Sequence, residues 1–260
     1  MIFIKEIFEE KRNEMLTKIQ LKLEKNSNVN VNSGSLFHGA LMELIDKDYG
    51  DILHENSLKP FSQNLQVLDE NIIWTINCLN DECSKKFSEA IKGIEKINIK
   101  KKDLELNILS KRTESNSYKD FIDDTYFSDA GRIFKIYFNT PATFKINGRY
   151  SIYPDLTEMY KNLIRRFDAF SDGFSLYDED MLDTLISSTN IIGYKLKSTV
   201  YHIESIKIPS FIGYLTIRIS GTAQTAQIAK LLLKYSEYSG VGIKTALGMG
   251  QTRIEEVIKR

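Results

Sequence analysis

Hydrophobic periodicity in this chain switches between a two-residue and a three-to-four-residue spacing in the same order twice. That order restricts the folds open to it. Residues 18–24 (KIQLKLE) alternate polar and apolar side chains, as a half-buried strand does. Phe37, Ala40, Leu41 and Leu44 then recur at helical spacing behind Asn32 and Ser33, which offer N-caps, and Gly50 is expected to end the helix. FSQNLQV (61–67) and NIIWTINCL (71–79) form a hairpin pattern, DECSKKFSEAIK (81–92) a second helix, and residues 96–109 a strand. Residues 1–14 read as a charged helix or arm before the first strand.

The second half repeats the order. RIFKIYF (132–138) is a strand punctuated later by Pro141 and Gly148, and Met159, Leu163, Ile164 and Phe167 lie on one helical face. An acidic stretch at 178–183 leads into a further helix. Residues 191–200, 201–208 and 212–219 are strand-like, rich in β-branched and aromatic residues. A helix with Ile228, Leu231, Leu232 and Tyr235 on one face follows, and GQTRIEEV closes the chain as a last strand. Two βαββαβ units predict an α+β protein of two tandem ferredoxin-like (RRM-like) domains, 1–115 and 130–260, joined through a polar linker at 115–129. The four-stranded face of such a unit is a frequent RNA platform.

Charge is balanced over the 260 residues, 35 Lys+Arg against 35 Asp+Glu. Its distribution is uneven: residues 193–260 hold 10 basic and 4 acidic side chains, a local net of +6. That points to a local anion-binding surface rather than a general affinity for polyanions. No run approaches the roughly 20 apolar residues that span a bilayer, the N-terminus is too charged for a signal peptide, and two cysteines make no disulfide framework. A soluble cytoplasmic protein without membrane contact is expected.

Residues 239–250 read SGVGIKTALGMG. Gly240, Gly242, Gly248 and Gly250 stand where the chain needs positive φ or where something approaches the backbone closely. Exposed N–H groups there, with Lys244, would cradle a phosphate. A P-loop is excluded because Ile243 separates Gly242 from Lys244, and the dinucleotide fingerprint fails at Thr245. Both motifs also run strand–loop–helix, whereas this loop follows a helix and precedes a strand. The other reading is a bulged hairpin whose glycines serve packing.

The segment YSGVGIKTALGMG is similar to the C-terminal glycine-rich signature of the CRISPR-associated endoribonucleases, the sixth Cas family, that cut repeat transcripts into guide RNAs. GSLFHGALMELI, LHENSLKPFS, FNTPATFKINGRY and FIGYLTIRISGTAQ resemble further pieces of that family, in the family's order, over most of residues 15–254. The resemblance implies tandem ferredoxin-like domains that bind CRISPR repeat RNA, and cleavage without a metal or other cofactor. The products would be a 2′,3′-cyclic phosphate and a 5′-hydroxyl. His38 matches the position of the family's catalytic histidine. Leu23 and Leu44 stand where some members carry a tyrosine and a lysine. Lys47, Tyr49, Lys22 and Lys25 are the positions open to replace them.

Gly240, Gly242, Lys244, Thr245, Gly248 and Gly250 are the expected RNA grip, and Lys195, Lys197, Lys207 and Arg218 the candidate phosphate contacts. His54 and His202 read as structural. No metal-ligand spacing is visible: the cysteines stand as C-x4-C without a second pair. The alternative is a non-catalytic repeat-RNA-binding subunit of an interference complex with other Cas proteins; a small-molecule enzyme with a phosphate loop is the more distant rival. Oligomeric state is left open.

Overall fold

The computed structural model describes residues 14–171 and 173–257, so most of the segment expected as a charged helix or arm lies outside the described residues. The first sheet orders its strands β2 (Phe61–Val67), β3 (Asn71–Cys78), β1 (Met15–Glu24), β5 (Leu104–Ser117) and β4 (Lys96–Ile99), with every pairing antiparallel. Among the described residues three helices belong to this half: α1 (Gly34–Leu44), α2 (Lys47–Glu55) and α3 (Asp81–Lys92). α1 is held on the sheet by Phe37 and Leu41, both fully buried. Phe37 meets the edge of Trp74 at 5.0 Å, a geometry worth about 0.5–1.5 kcal/mol beyond the buried area.

The second sheet runs β11 (Thr252–Glu256), β6 (Ile133–Ala142), β10 (Ile206–Ile219) and β9 (Thr189–Ile203), again antiparallel. A small hairpin, β7 (Lys145–Ile146) and β8 (Arg149–Tyr150), precedes helices α5 (Leu156–Phe170) and α6 (Glu179–Ser188), and α7 (Ala223–Ser239) comes before the last strand. Both sheets pair the first strand of their unit with the third at the centre, β1 with β3 and β6 with β10, as a ferredoxin-like unit does, and β4 extends the first sheet beyond β5. The α+β, tandem ferredoxin-like expectation holds.

Four local expectations are corrected. The first helix ends at Leu44, not Gly50: Ile45 is extended, Asp46 accepts a hydrogen bond from Tyr49 N, and a new helix runs straight through Gly50. Residues 96–109 are two strands, split by a 3-10 turn that closes on Asp103 at φ 46°. Residues 191–219 are two long strands, and the hairpin turn passes through Glu204 at φ 53°, inside the segment expected as a middle strand. The segment 115–129, expected as a linker, is the end of β5 followed by α4 (Tyr118–Thr125). α4 buries Tyr118, Phe121 and Ile122 in the second core, and Tyr118 Oη donates to Leu79 O at 2.8 Å. The two halves share more packing than a polar connection would give. Ala246, from the glycine-rich segment, is in turn buried in the first core.

Candidate active site and nucleic-acid interface

The site is assembled where α1 begins. Asn30 and Ser33 close a capping box on a single 3-10 turn, and Gly34 then opens α1. At that point the second unit arrives: Tyr201 Oη donates to Leu247 O at 2.7 Å, and a Cβ placed on Gly34 would lie 2.5 Å from each of those oxygens. Gln63 ties the pieces together. Its Nε2 donates to Gly34 O and Ala246 O, both at 2.9 Å, and its Oε1 accepts from Trp74 Nε1 at 2.5 Å. This amide is buried, so losing it would leave the buried Trp74 Nε1 without its acceptor, at about 1–3 kcal/mol, and cut the tie between Gly34 O and Ala246 O.

One turn into α1 lies His38. Its ring stacks on Phe61, centroids 5.8 Å apart and planes 8° from parallel. Nδ1 is buried and has no hydrogen-bond partner among the described residues. Burial, then the charges of His54 and Lys59, bring the imidazole pKa from 6.5 down to about 4, while the Ala246 carbonyl pulls weakly upward. The ring is consequently neutral at physiological pH. Lys59 is fixed by the end of α2: its Nζ donates to Asn56 O at 2.6 Å, to His54 O at 3.3 Å and to Leu53 O. Replacing Lys59 with methionine removes one of the charges acting on the ring. The His38 pKa, followed by NMR titration of its ring protons, should then rise from about 4 while staying under 6.5, because burial is the larger cause. An unmoved titration would separate Lys59 from this site.

The glycine-rich segment folds differently from a phosphate cradle. Gly240, Gly242, Gly248 and Gly250 are buried. A Cβ on Gly242 would lie 2.2 Å from Thr143 O, and one on Gly250 would lie 2.0 Å from Val241 O. The approaching atoms are the protein's own. Most of the loop's N–H groups are also spent internally: Val241 N on Gly250 O (2.8 Å), Ile243 N on Thr143 O (3.1 Å), Leu247 N on Lys244 O (2.9 Å) and Gly250 N on Pro141 O (3.0 Å). Thr245 is buried against Gly240. Lys244, held left-handed at φ 58°, is the exposed residue of the loop.

Beside Gly242 and Ile243 opens a groove of about 320 Å³ lined by Lys145, Lys161 and Arg165 and by one carboxylate, Glu158. The next residue on α5, Arg166, is buried and donates to Lys59 O and Phe61 O at 3.4 Å each. The basic flank of α5 is thereby fastened to the chain that carries His38's stacking partner. Lys145, Lys161 and Arg165 were not singled out from the sequence. On an amphipathic helix the charges of Lys161 and Arg165 look like an ordinary solvated face, and Lys145 stands on the short strand β7.

Other expected site residues lie elsewhere. Tyr49 is in the first core, against Phe87 (6.3 Å, edge-on), and Phe87 and Phe61 stand between it and His38. Burial, with Cys83 and Glu82 nearby, raises its hydroxyl pKa. Lys47 is exposed on the first turn of α2. Lys22 is exposed on β1, and Lys25 reaches Leu68 O at the β2–β3 turn. Lys195, Lys197 and Arg218 stand exposed on β9 and β10, and Lys207 pairs with His202 near the tip of their hairpin. These four do not join the His38 group.

A family model for the CRISPR-associated endoribonuclease Cas6 matches residues 136–252. The CRISPR-associated endoribonuclease Cas6 of Streptococcus thermophilus is 31% identical over 221 residues, covering 85% of this chain and 90% of that relative. The chain belongs to the Cas6 family. It is an endoribonuclease. The Cas6 of Mycobacterium tuberculosis is 27% identical over 230 residues, covering 87% of this chain and 73% of the relative. Among solved structures, a Cas6 product complex superposes with a TM-score of 0.79 at 19% identity, covering 93% of this chain and 99% of the other. Thermus thermophilus Cas6 gives 0.73 at 20% identity, with 94% and 100% covered. At those identities the Cas6 structures speak for the fold.

Proposed function

We propose that this endoribonuclease cuts CRISPR repeat RNA by attack of a ribose 2′-hydroxyl on its own phosphate, leaving a 2′,3′-cyclic phosphate and a 5′-hydroxyl. The observation that carries the reading is a neutral, half-buried imidazole, His38, set where the first helix, the glycine-rich loop and Lys59 meet. A solved relative of this fold is a Cas6 product complex, which agrees with RNA as the substrate.

The chemistry asks little more. The nucleophile is tethered to the phosphate it attacks, so no metal-activated water is required. His38 accepts the 2′-OH proton as the O2′–P bond forms. The P–O5′ bond then breaks, and the departing oxygen takes a proton from His54, the exposed second imidazole whose charge acts on His38. Lys59 places positive charge near the crowded phosphorane. Lys244, with Lys145, Lys161 and Arg165 in the adjoining groove, takes the phosphates of the flanking strand. In this reading residues 1–115 supply the proton acceptor and residues 130–260 most of the grip.

The test is incubation of the protein with labelled repeat RNA in excess EDTA. Cleavage that survives chelation, yields a cyclic phosphate, and stops when the cleavage-site ribose is 2′-deoxy is the expected result. Loss of cutting in EDTA overturns the mechanism, and binding without any cutting would make the chain a repeat-RNA-binding subunit.

A further inference from the structure

The face of the second sheet that turns away from α5 and α7 carries a built aromatic row that the cleavage site does not use. Along β6, Phe134, Ile136 and Phe138 are buried while Lys135 and Tyr137 alternate with them on the open side; along β10, Leu215 and Ile217 are buried while Tyr214 and Thr216 face out. Register places Lys195, Tyr214, Tyr137 and Arg253 directly across from one another on β9, β10, β6 and β11. The two tyrosine rings are neighbours, centroids 5.8 Å apart. Lys135 Nζ lies 4.0 Å from the Tyr214 centroid and 4.9 Å from that of Tyr137, and the Arg253 guanidinium lies 3.9 Å from the Tyr137 ring. Arg218 is exposed two positions further along the same face of β10 as Thr216, and Glu255, which accepts from Tyr137 Oη, is the one carboxylate of this row and the next.

The topology does not require this. The first sheet pairs Gln20 with Thr75 and Lys18 with Asn77 on its corresponding face, where Thr75 and Asn77 are buried and no aromatic pair stands. Tyrosines on the two central strands of the second unit alone, ringed by cations, answer to a ligand that is flat and apolar on its faces and negative along its edge. Single-stranded RNA has that chemistry, since every base presents a π-face and every link a phosphate. The lysine and arginine resting over the rings are long side chains held only at the surface, Arg253 by Glu255 at 3.7 Å and Lys135 by Tyr137, so each can exchange that partner for a phosphate as a base takes its place. Arg253, at one end of the row, also lines a cleft of about 690 Å³ between the two sheets. Gln20, Asn64 and Gln66 from one side and Asn139 and Gln251 from the other offer amide donors and acceptors there.

We propose that Tyr137 and Tyr214 form a stacking platform for single-stranded RNA, distinct from the His38 site, that holds an uncut part of the transcript. The proposal rests on the reading of the protein as an RNA-cutting enzyme. Its test measures binding and cutting separately. Affinity for a fluorescein-labelled 12-nucleotide oligouridylate, and for the full repeat RNA, is followed by anisotropy over a salt series. Single-turnover cleavage is measured at saturating protein.

Tyr137→Ala and Tyr214→Ala should each weaken oligouridylate binding by about tenfold, with the salt slope unchanged, because stacking releases no counterion. The Tyr→Phe variants should bind as the native protein does. Lys195→Ala should instead flatten the slope by about 0.7, one phosphate's worth. The saturated cleavage rate should be untouched in the tyrosine variants. Equal oligouridylate affinity in the native protein and Tyr137→Ala/Tyr214→Ala, with cleavage intact, overturns the platform and leaves this face to a protein neighbour. A native protein that cuts no RNA fails the enzymatic reading instead.

Discussion

His38→Ala is expected to bind repeat RNA with native affinity and to cut it about 10²–10⁴-fold more slowly, the span that positioned proton transfer usually supplies. The argument is environmental. A histidine on the open side of a helix would titrate near 6.5; this one is driven to about 4 by burial and by the charges of His54 and Lys59. Above pH 5 it stands ready as a proton acceptor, so the acidic limb of kcat/KM should fall well below 6.5, toward 4. An RNA phosphate beside the ring favours the protonated form, which moves the limb for kcat above that for kcat/KM.

The same shift makes a stability prediction. Between 6.5 and about 4 the unfolded chain holds a proton on this imidazole that the folded chain does not. Stability is therefore fully present above that window and declines as pH falls through it, by at most about 3 kcal/mol. His38→Gln should show less of that decline in urea titrations at pH 7 and 4.5. Native-rate cleavage by His38→Ala removes the imidazole from the mechanism.

The regular elements of both units were open to a reading of the chain. Period and capping residues carry that information locally. What escaped was punctuation. Asp103 and Glu204 take the left-handed conformation without being glycine, so the strand breaks they make leave no glycine or proline to see. Gly50, which looks like a stop, sits inside a helix because Asp46 has already capped a new one.

The glycines of 240–250 illustrate a deeper limit. A residue without Cβ is selected equally by a ligand's approach and by the chain's own carbonyls, and only the tertiary neighbours Thr143 and Val241 distinguish the two. Tyr49 shares a helical line with His38 on paper. The break at Ile45 rotates it into the core. Lys161 and Arg165 had no mark at all until Gly242 was placed beside them.

Gly34→Ala is the sharper test of how the two units are joined. At a helical φ of −53°, alanine is an ordinary improvement, worth up to about 1 kcal/mol in an exposed helix. Here the added methyl would sit 2.5 Å from Leu247 O and 2.5 Å from Tyr201 Oη, and 3.0 Å from the Gly248 Cα. Two of those three atoms are backbone of the loop, and Gln63 holds the loop to α1 through Ala246 O, so the loop cannot yield without losing a buried hydrogen bond. Overpacking of this kind costs about 1–3 kcal/mol, which exceeds the gain in helix propensity.

The expected outcome is a lower melting temperature, together with a cleavage rate at saturating protein reduced at least tenfold, because the loop that abuts His38 has been displaced. Gly39 lies in the same helix with nothing within 4 Å of its missing Cβ, so Gly39→Ala provides the control and should be as stable as the native chain or more so. Adding Tyr201→Phe to Gly34→Ala removes one of the two opposing oxygens and should recover part of the loss. If Gly34→Ala instead behaves like Gly39→Ala in both stability and rate, the close seating of the loop on α1 has no bearing on catalysis. The imidazole would then have to be positioned by Phe61 and Lys59 alone.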